Sequence, residues 1–565
     1  MQNKYYITTP IYYVNDRPHI GHTYTTVIAD ALARFHRLRE EDVRFLTGTD
    51  ENSQKNLEAM EKAGETDLQT YLDRMSGTWK TTWSDLGIST DDFIRTTEKR
   101  HHLGVERFWN AVLASGDLEK RTYEALYCVG CEGFKTESDL NEEKRCPLHP
   151  NKDLQVIQEE NWFFKLTNYA DELVAYIEAH PDFVQPVSRR NEILGYIKAV
   201  KEQKLDVSVS REAKKLSVGI PVPNDPDQRI YVWFDALLNY MTAVGYGTDD
   251  ALFEKYWPAD LHLVGKDIIK FHCALWPAML MSAAKTDASL RNADESIKLP
   301  KHVFANGFFT LDGMKISKSL GNAIAPADAA KDVGFDAVRY YLLREITLGE
   351  DGDFSFERLR DRYQNDLGNT LGNLLQRVVA MSRKYFDGKV PTLTPEEVQT
   401  AGKPYQLDQI HWWHGSAGFD RMKEGLEKAY LFQDSRDLGD VLPQIFGDLT
   451  LYTDGVSGES GTGNSGSRNA NILIQVTEPF KLAKTDLAAT ARVLYALLES
   501  LRWYAWFLTP IMPETARKMF VALGIDPETE CKKGWNAALT WGQLEPGTVL
   551  PEPTPLFPRL EQAEV

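Results

Sequence analysis

Strand-like and helix-like segments alternate over the first 115 residues, break off, and resume from 231 to 325. Such alternation points to parallel strands joined by crossover helices that cover the faces of a sheet. Residues 5–11 are β-branched and aromatic, as in a strand. After a loop marked by Pro18, Ile28, Leu32 and Phe35 fall on one helical face, and residues 43–46 form a second strand ending at Gly48. In the later block Ile230-Tyr231-Val232-Trp233 and Leu261-His262-Leu263-Val264 read as strands, followed by a helix through Ile268, Phe271 and Leu275. The interruption holds short strands, a cysteine-bearing insert and Pro221, Pro223 and Pro226. Past about residue 360 the strand pattern vanishes. Leu487, Leu494, Leu498, Leu501, Ala505 and Leu508 make a helical stripe stopped by Pro510, which predicts an all-α bundle. Residues 455–467, rich in Gly and Ser, read as a flexible loop within it, and five prolines from 546 to 558 predict an extended tail.

Composition narrows the function classes. A chain of 565 residues exceeds one hydrophobic core and predicts several domains. Its 64 basic and 82 acidic side chains give a net charge of −18, which excludes indiscriminate coating of nucleic acid. A nucleic-acid partner would have to meet local basic stretches, of which 189–215 and 358–384 are the densest. No apolar run is long enough to span a membrane, and the N-terminus lacks an apolar signal core, so a cytoplasmic protein is expected. Five cysteines in so long a chain argue against a disulfide scaffold.

Two short segments carry the chemistry. His19-Ile20-Gly21-His22 follows the first strand and opens a helix, where free backbone amides and the helix dipole favour phosphate. Gly21 admits close approach to the backbone, and two imidazoles can donate hydrogen bonds to phosphoryl oxygens as charge builds. Far downstream, Lys315-Ile316-Ser317-Lys318-Ser319 lies between Gly313 and Gly321, a basic loop suited to gripping and releasing pyrophosphate. These segments resemble the HIGH and KMSKS signatures of class I aminoacyl-tRNA synthetases. Their spacing and surroundings resemble the methionyl-tRNA synthetases, through Pro10-Ile11-Tyr12-Tyr13-Val14-Asn15, Thr47-Gly48-Thr49-Asp50-Glu51, Tyr231-Val232-Trp233-Phe234-Asp235-Ala236, Val264-Gly265-Lys266-Asp267-Ile268 and Gly349-Glu350-Asp351-Gly352-Asp353-Phe354-Ser355. The chain departs from that pattern at Asn52-Ser53, where many relatives carry His-Gly.

A separate cluster, Cys128 and Cys131 followed by Cys146 and His149, has the spacing of a zinc knuckle. Two close ligand pairs complete a tetrahedron with no open position, which marks a structural site. The resembling family carries such a knuckle in the insertion between its sheet halves.

The resemblance implies a Rossmann-type α/β parallel-sheet catalytic domain with a zinc-bearing insertion, followed by an all-α anticodon-binding bundle. The expected boundaries are catalytic halves at 1–115 and 231–325, the insertion at 116–230, a stem-contact segment at 326–360, the anticodon domain at 361–545 and the tail at 546–565. It implies activation of L-methionine by Mg-ATP and transfer to the 3′ end of a methionine tRNA with a CAU anticodon. His19 and His22 would stabilise the α-phosphate, Lys315 and Lys318 the leaving pyrophosphate, and Gly21, Gly265 and Asp267 would complete the ATP site. The methionine pocket would comprise Ile11, Tyr13, Trp233, Ala236, Leu237, Tyr240, Ile268 and His272, with Asp50 on the substrate ammonium. Aromatic walls suit a thioether, which gains from sulfur–ring contacts. Asn373, Arg377 and Phe480 would read the anticodon, Phe480 standing where the family has Trp. Leucyl-type relatives need a large editing insertion that 116–230 cannot hold, and the cysteinyl type draws its zinc ligands from distant segments. A non-catalytic tRNA-binding module would not need both signatures. A monomer is expected, because the chain ends at Val565 with no appended dimerising domain.

Overall fold

The computed structural model describes residues 3–131, 133–135, 140–311, 313–316, 322–401, 406–407, 410–411, 415–430 and 470–560. Six parallel strands form the central sheet: β1 (Lys4–Tyr13), β2 (Asp42–Asp50), β3 (Asp92–Arg95), β4 (Val184–Gln185), β5 (Leu261–Gly265) and β6 (His302–Asn306). Their order is β3-β2-β1-β5-β6-β4. From β1 the chain builds outward to β2 and β3, whereas from β5 it builds the other way. The strand order therefore reverses between β1 and β5, where Ile7 pairs with Leu261 and Thr8 with His262. In open α/β sheets the crevice beyond the carboxyl ends of such strands is where ligands bind.

Helix α1 (Ile20–Leu38) carries the chain from β1 to β2 and buries Ile20, Val27, Ile28, Leu32 and Phe35. That is the face its apolar spacing predicts. The insertion builds an antiparallel hairpin from Leu118–Cys128 and Gln155–Phe164, with a smaller three-stranded sheet after it. It is not cleanly outside the catalytic sheet, because β4 returns to pair with Val303 and Phe304 of β6.

Two expectations are corrected, and a third is refined. Tyr231-Val232-Trp233 is not a strand: the strand Asp225–Ile230 ends before it, and Val232–Leu237 is helical with extended Tyr231 as its cap. A short apolar run buried on several sides carries no periodicity to separate the two. The helix expected through Ile268, Phe271 and Leu275 is present as one continuous helical run, tight at Lys266–Ile268 and widened to π-type at Phe271–Leu275 before Trp276–Ala283. Finally, the C-terminal stripe belongs to a helix buried on nearly every side, while Leu487, its first member, is exposed.

The bundle is organised around that helix. In chain order, α2 (Phe335–Glu345) links it to the sheet, α3 (Asn373–Tyr385) packs on it, and α4 (Leu487–Leu508) is the helix itself. Within α4, Glu499 and Arg502 are both fully buried, and Arg502 also reaches Glu530. The junction with the catalytic domain is equally specific. Arg339 of α2, fully buried, donates to Asp30 of α1 at 2.7 Å and to the carbonyls of Pro510 and Ile511. The tail is extended, as its prolines predict, but it is tied down: Val390 N–H donates to Thr548 O, and Phe557 packs edge-on against Tyr363. The glycine-rich stretch 455–467 lies outside the described residues. No described helix is long and apolar enough to cross a membrane. Many cations of the two basic stretches are ion-paired, among them Arg189 with Glu192, Lys201 with Asp171, and Arg358 and Arg362 with Glu345.

Candidate active site

The crevice at the β1/β5 reversal is a cleft of about 440 Å³ lined by His19, Gly21, His22, Gly265, Asp267 and Asn306, among others. Its signature histidines are part of the fold of α1. His19 is the N-cap, its Nδ1 accepting the Gly21 N–H at 3.1 Å, while its own N–H donates to His22 Nδ1 at 3.3 Å. This is a capping box built from two imidazoles rather than the usual hydroxyl and carboxylate. With both Nδ1 atoms accepting, the proton of each neutral ring sits on Nε2. Burial, then the neighbouring His19, keeps His22 well below the usual imidazole range, so it is neutral at physiological pH. Its ring is wedged edge-on against Tyr12 and Trp79, 5.0 Å from each. Gly21 has a local reason as well: a Cβ there would lie 3.0 Å from His19 Cε1, so the glycine makes room for the capping ring. Gly265 does the same for Asp267, whose Oδ1 would lie 2.7 Å from an added Cβ.

A smaller cavity of about 40 Å³ continues from the cleft and shares Pro10, Ile11, Tyr13, Trp233 and Ile268 with it. Asp50, Ala236, Leu237, Tyr240 and His272 complete it, together with Asn239. All nine residues expected to surround a methionine thus line one cavity. Trp233 stacks on Phe271 with ring centres 4.0 Å apart. His272, in the π-type turn, has Nδ1 bonded to Ile268 O at 3.0 Å and Nε2 to the Tyr240 hydroxyl at 2.7 Å. Burial lowers its pKa to about 4, so the ring donates through Nδ1 and accepts from tyrosine. Asp50, at the end of β2, is buried and faces the cavity's polar side. The departure at Asn52-Ser53 is absorbed locally. Asn52 donates to Asp235 Oδ2 and Thr96 O, and Ser53 caps the helix Gln54–Lys62.

Lys315 is not on a free loop. It lies on a two-residue strand opposite Thr310, in a small sheet completed by Gly352–Phe354, and Gly313 makes the turn at φ +73°. Ile316, next along, lines the cleft. Lys318 lies outside the described residues.

At the tip of the insertion hairpin, the ligand atoms of Cys128, Cys131, Cys146 and His149 all fall within 4.8 Å of one another. The separations are 3.5 Å between Cys131 and Cys146 Sγ, and 3.3–3.9 Å from His149 Nδ1 to the three sulfurs. A tetrahedral zinc with bonds of ~2.3 Å to sulfur and ~2.0 Å to nitrogen requires edges of roughly 3.5–3.8 Å, so the donor set fits the ion. A Cβ on Gly130 would strike the His149 ring at 2.4 Å, so that glycine is what lets the ring close the site.

In the bundle, Asn373 is exposed and Arg377 half-buried on α3, one turn apart. Phe480, in the short helix Pro479–Leu482, is 44% exposed, which removes it from the bundle core. Both helices pack on α4.

Residues 5–156 and 142–379 match the family model described as tRNA synthetases class I (M), and residues 468–565 match the anticodon binding domain of methionyl tRNA ligase. The chain belongs to the methionyl-tRNA synthetase family. Methionine–tRNA ligases of Streptomyces coelicolor and Rickettsia conorii are 41% and 40% identical to it. The matches span 99% of this chain and 97% and 100% of theirs. The Thermotoga maritima ligase is 40% identical over 99% of this chain and 80% of its own. Among solved structures, Mycobacterium tuberculosis methionyl-tRNA synthetase in complex with methionyl-adenylate aligns with a TM-score of 0.82 at 36% identity. That alignment covers 99% of this chain and 100% of the other.

Within this methionyl-tRNA synthetase framework, sequence reasoning missed Asn306 and Asn239. Asn306 ends β6 opposite Gly265 and bonds Thr25 through Oδ1, so its place at a strand's carboxyl end was the available signal. Asn239 is buried in the smaller cavity with Nδ2 bonded to Ala236 O. Nothing in its sequence context marked it.

Proposed function

We propose that the protein is a methionine–tRNA ligase that works in two steps at the β1/β5 crevice. In the first, a methionine carboxylate oxygen attacks the α-phosphorus of ATP, which enters as its magnesium complex. The bond to the β-phosphate oxygen breaks, leaving methionyl-adenylate and pyrophosphate. In the second, a ribose hydroxyl at the tRNA 3′ end attacks the adenylate carbonyl, an ester forms, and AMP departs with the hydroxyl proton on its phosphate. No enzyme atom becomes covalently attached, so the residues act by positioning and by stabilising charge.

The observation that carries this reading is the pair of capping histidines. Each has Nδ1 accepting a backbone N–H, which fixes both rings in the lining of the cleft at the positive end of α1. In this reading His19 and His22 hold the α-phosphate, Gly265 and Asp267 the ribose, and Lys315 and Lys318 the departing pyrophosphate. Asp50 pairs with the methionine ammonium. Ile11, Tyr13, Trp233, Ala236, Leu237, Tyr240, Ile268 and His272 enclose the thioether. Asn373, Arg377 and Phe480 read the CAU anticodon. The knuckle residues would hold one zinc ion, which supplies a structural clamp on the insertion and no Lewis acid, because four protein ligands leave no open position.

The test is amino-acid-dependent ATP–pyrophosphate exchange with all twenty amino acids. Methionine alone is expected to support it, and Lys318→Ala is expected to slow it about a hundredfold, the cost of one donor at a developing charge, about 3 kcal/mol. Exchange with leucine but not methionine would refute the substrate. Undiminished exchange in Lys318→Ala would refute the assigned mechanism.

A further inference from the structure

One wall of the methionine cavity is built from a segment too short to hold its own shape. Trp233, Ala236, Leu237, Asn239 and Tyr240 come from two consecutive short helices, Val232–Leu237 and Asn239–Thr242. Helices of one or two turns are unstable by themselves and take their geometry from what packs behind them. Behind this segment lies the helix Lys99–Ala114. Gly104 lets that helix come close, since a Cβ there would lie 2.4 Å from Thr242 Cγ2 and 2.7 Å from Tyr246 O. Phe108 and Trp109 turn their rings to Phe234, with centres 5.9 and 5.2 Å away.

Polar contacts fasten the segment from the same side. His101, buried on that helix, bonds Asp235 Oδ1 through Nε2 at 2.6 Å and Thr242 Oγ1 through Nδ1 at 2.8 Å. Ala236, Leu237, Asn239 and Tyr240 of the pocket all lie between these two contacts of a single ring. The other oxygen of Asp235 accepts from Asn52 Nδ2 at 2.8 Å, and the same amide donates to Thr96 O at 3.1 Å. Asn52 stands two residues beyond Asp50, the carboxylate assigned to the methionine ammonium. None of Asn52, His101, Asp235 and Thr242 lines the methionine cavity or the nucleotide cleft. A buried, hydrogen-bonded carboxylate adds little net stability over an apolar residue of similar size. What Asp235 adds is direction, because each of its oxygens is committed to a partner from a different element.

We propose that His101 and Asn52 are positioning residues for methionine recognition, acting through Asp235. His101 fixes the wall that meets the side chain, and Asn52 fixes that wall relative to Asp50, so thioether and ammonium are gripped in one register. The proposal rests on the ligase reading above. An imidazole at position 52 can make the same donation to Asp235, which accounts for the His-Gly of many relatives at Asn52-Ser53. His19, Gly265 and Asp267 of the ATP site lie on other segments, so the effect is selective for the amino acid.

The experiment is steady-state pyrophosphate exchange with methionine varied and then with ATP varied. It compares Asn52→Ala, Thr242→Val, and Asn52→His combined with Ser53→Gly. Asn52→Ala leaves a buried acceptor unpaired and is expected to raise the KM for methionine about tenfold. Thr242→Val, which keeps the side chain's shape and carries the test if Asn52→Ala does not fold, is expected to raise it about threefold. The KM for ATP and kcat should change less than about twofold in either. The combined variant returns a donor to Asp235 and should recover most of the loss. An unchanged methionine KM in both Asn52→Ala and Thr242→Val would overturn the proposal. So would KM values for methionine and ATP that rise together, or a kcat that falls in step, which would assign these residues to the fold. A combined variant no better than Asn52→Ala would overturn the donor role of position 52. Failure of the unaltered protein to exchange with methionine would instead overturn the ligase reading beneath it.

Discussion

His272 shows how a residue of ordinary type becomes specific through its surroundings. Its two nitrogens are committed, Nδ1–H to Ile268 O and Nε2 to the Tyr240 hydroxyl, and burial holds its pKa near 4. A neutral ring places no charge beside a thioether. Removing the tyrosine hydroxyl leaves a buried acceptor unpaired, a cost of about 1–3 kcal/mol. Tyr240→Phe is therefore expected to raise the KM for methionine roughly tenfold with kcat little changed, as steady-state exchange kinetics would show. The depressed pKa also fixes a sign. The unfolded chain takes up a proton near pH 6.5 that the folded ring refuses until about 4, so this stabilisation is complete above pH 6.5 and lost as pH falls toward 4. His22, also depressed, adds in the same direction. Thermal melts should show stability declining from pH 6.5 to 4, and the KM for methionine should stay level from pH 6 to 8. A KM that titrates near pH 6.5 would contradict a neutral His272.

Elements were legible where periodicity was clean and local. β1, α1 and β2 follow their apolar spacing to within a few residues, and the Cys and His pairs foretold a cluster that the hairpin does bring together. Legibility failed where tertiary packing overrides local pattern. Val232–Leu237 is six residues long and buried at every position but Trp233, its one charge, Asp235, being held inside by His101 and Asn52, so no two-fold or 3.6-fold alternation distinguishes helix from strand. The π-type turns at Phe271–Leu275 and Tyr363–Gly372 have no compositional signal, since their extra residue per turn is dictated by what packs against them. The capping role of His19 and His22 was likewise hidden, because imidazole is an unusual helix cap. The knuckle carries its own prediction. Cys128→Ser with Cys146→Ser removes two of four ligands, and metal analysis should fall from one zinc per chain to none. The accompanying loss should be in the insertion's resistance to proteolysis, with exchange the less affected. Zinc retained in the double variant would refute the ligand set.

Across the whole molecule, a buried ion pair joins the catalytic sheet's first helix to the bundle. The buried Asp30–Arg339 pair ties α1, which carries the histidines, to the carbonyls at Pro510 and Ile511 in the bundle. Burial would raise the Asp30 carboxyl, but Arg339, Arg34 and Ser89 outweigh it and hold it below the ordinary range. Arg339→Met removes one buried partner and leaves Asp30 to Arg34 and Ser89, and calorimetry should show a loss of about 1–3 kcal/mol. Within the bundle, Arg377→Ala and Phe480→Ala are each expected to slow tRNA charging tenfold or more while exchange is untouched, consistent with ~1–3 kcal/mol per stacked base. An equal loss of exchange would assign the residue to the fold. The pairing of Ile7 with Leu261 has a temporal meaning too. A ribosome adding ~5–20 residues per second needs roughly 13–50 s to pass from one to the other. Throughout that interval β1 is a strand with an unfilled inner edge, the kind of edge that recruits foreign strands. The order of synthesis thus leaves the centre of the sheet open until its second half arrives.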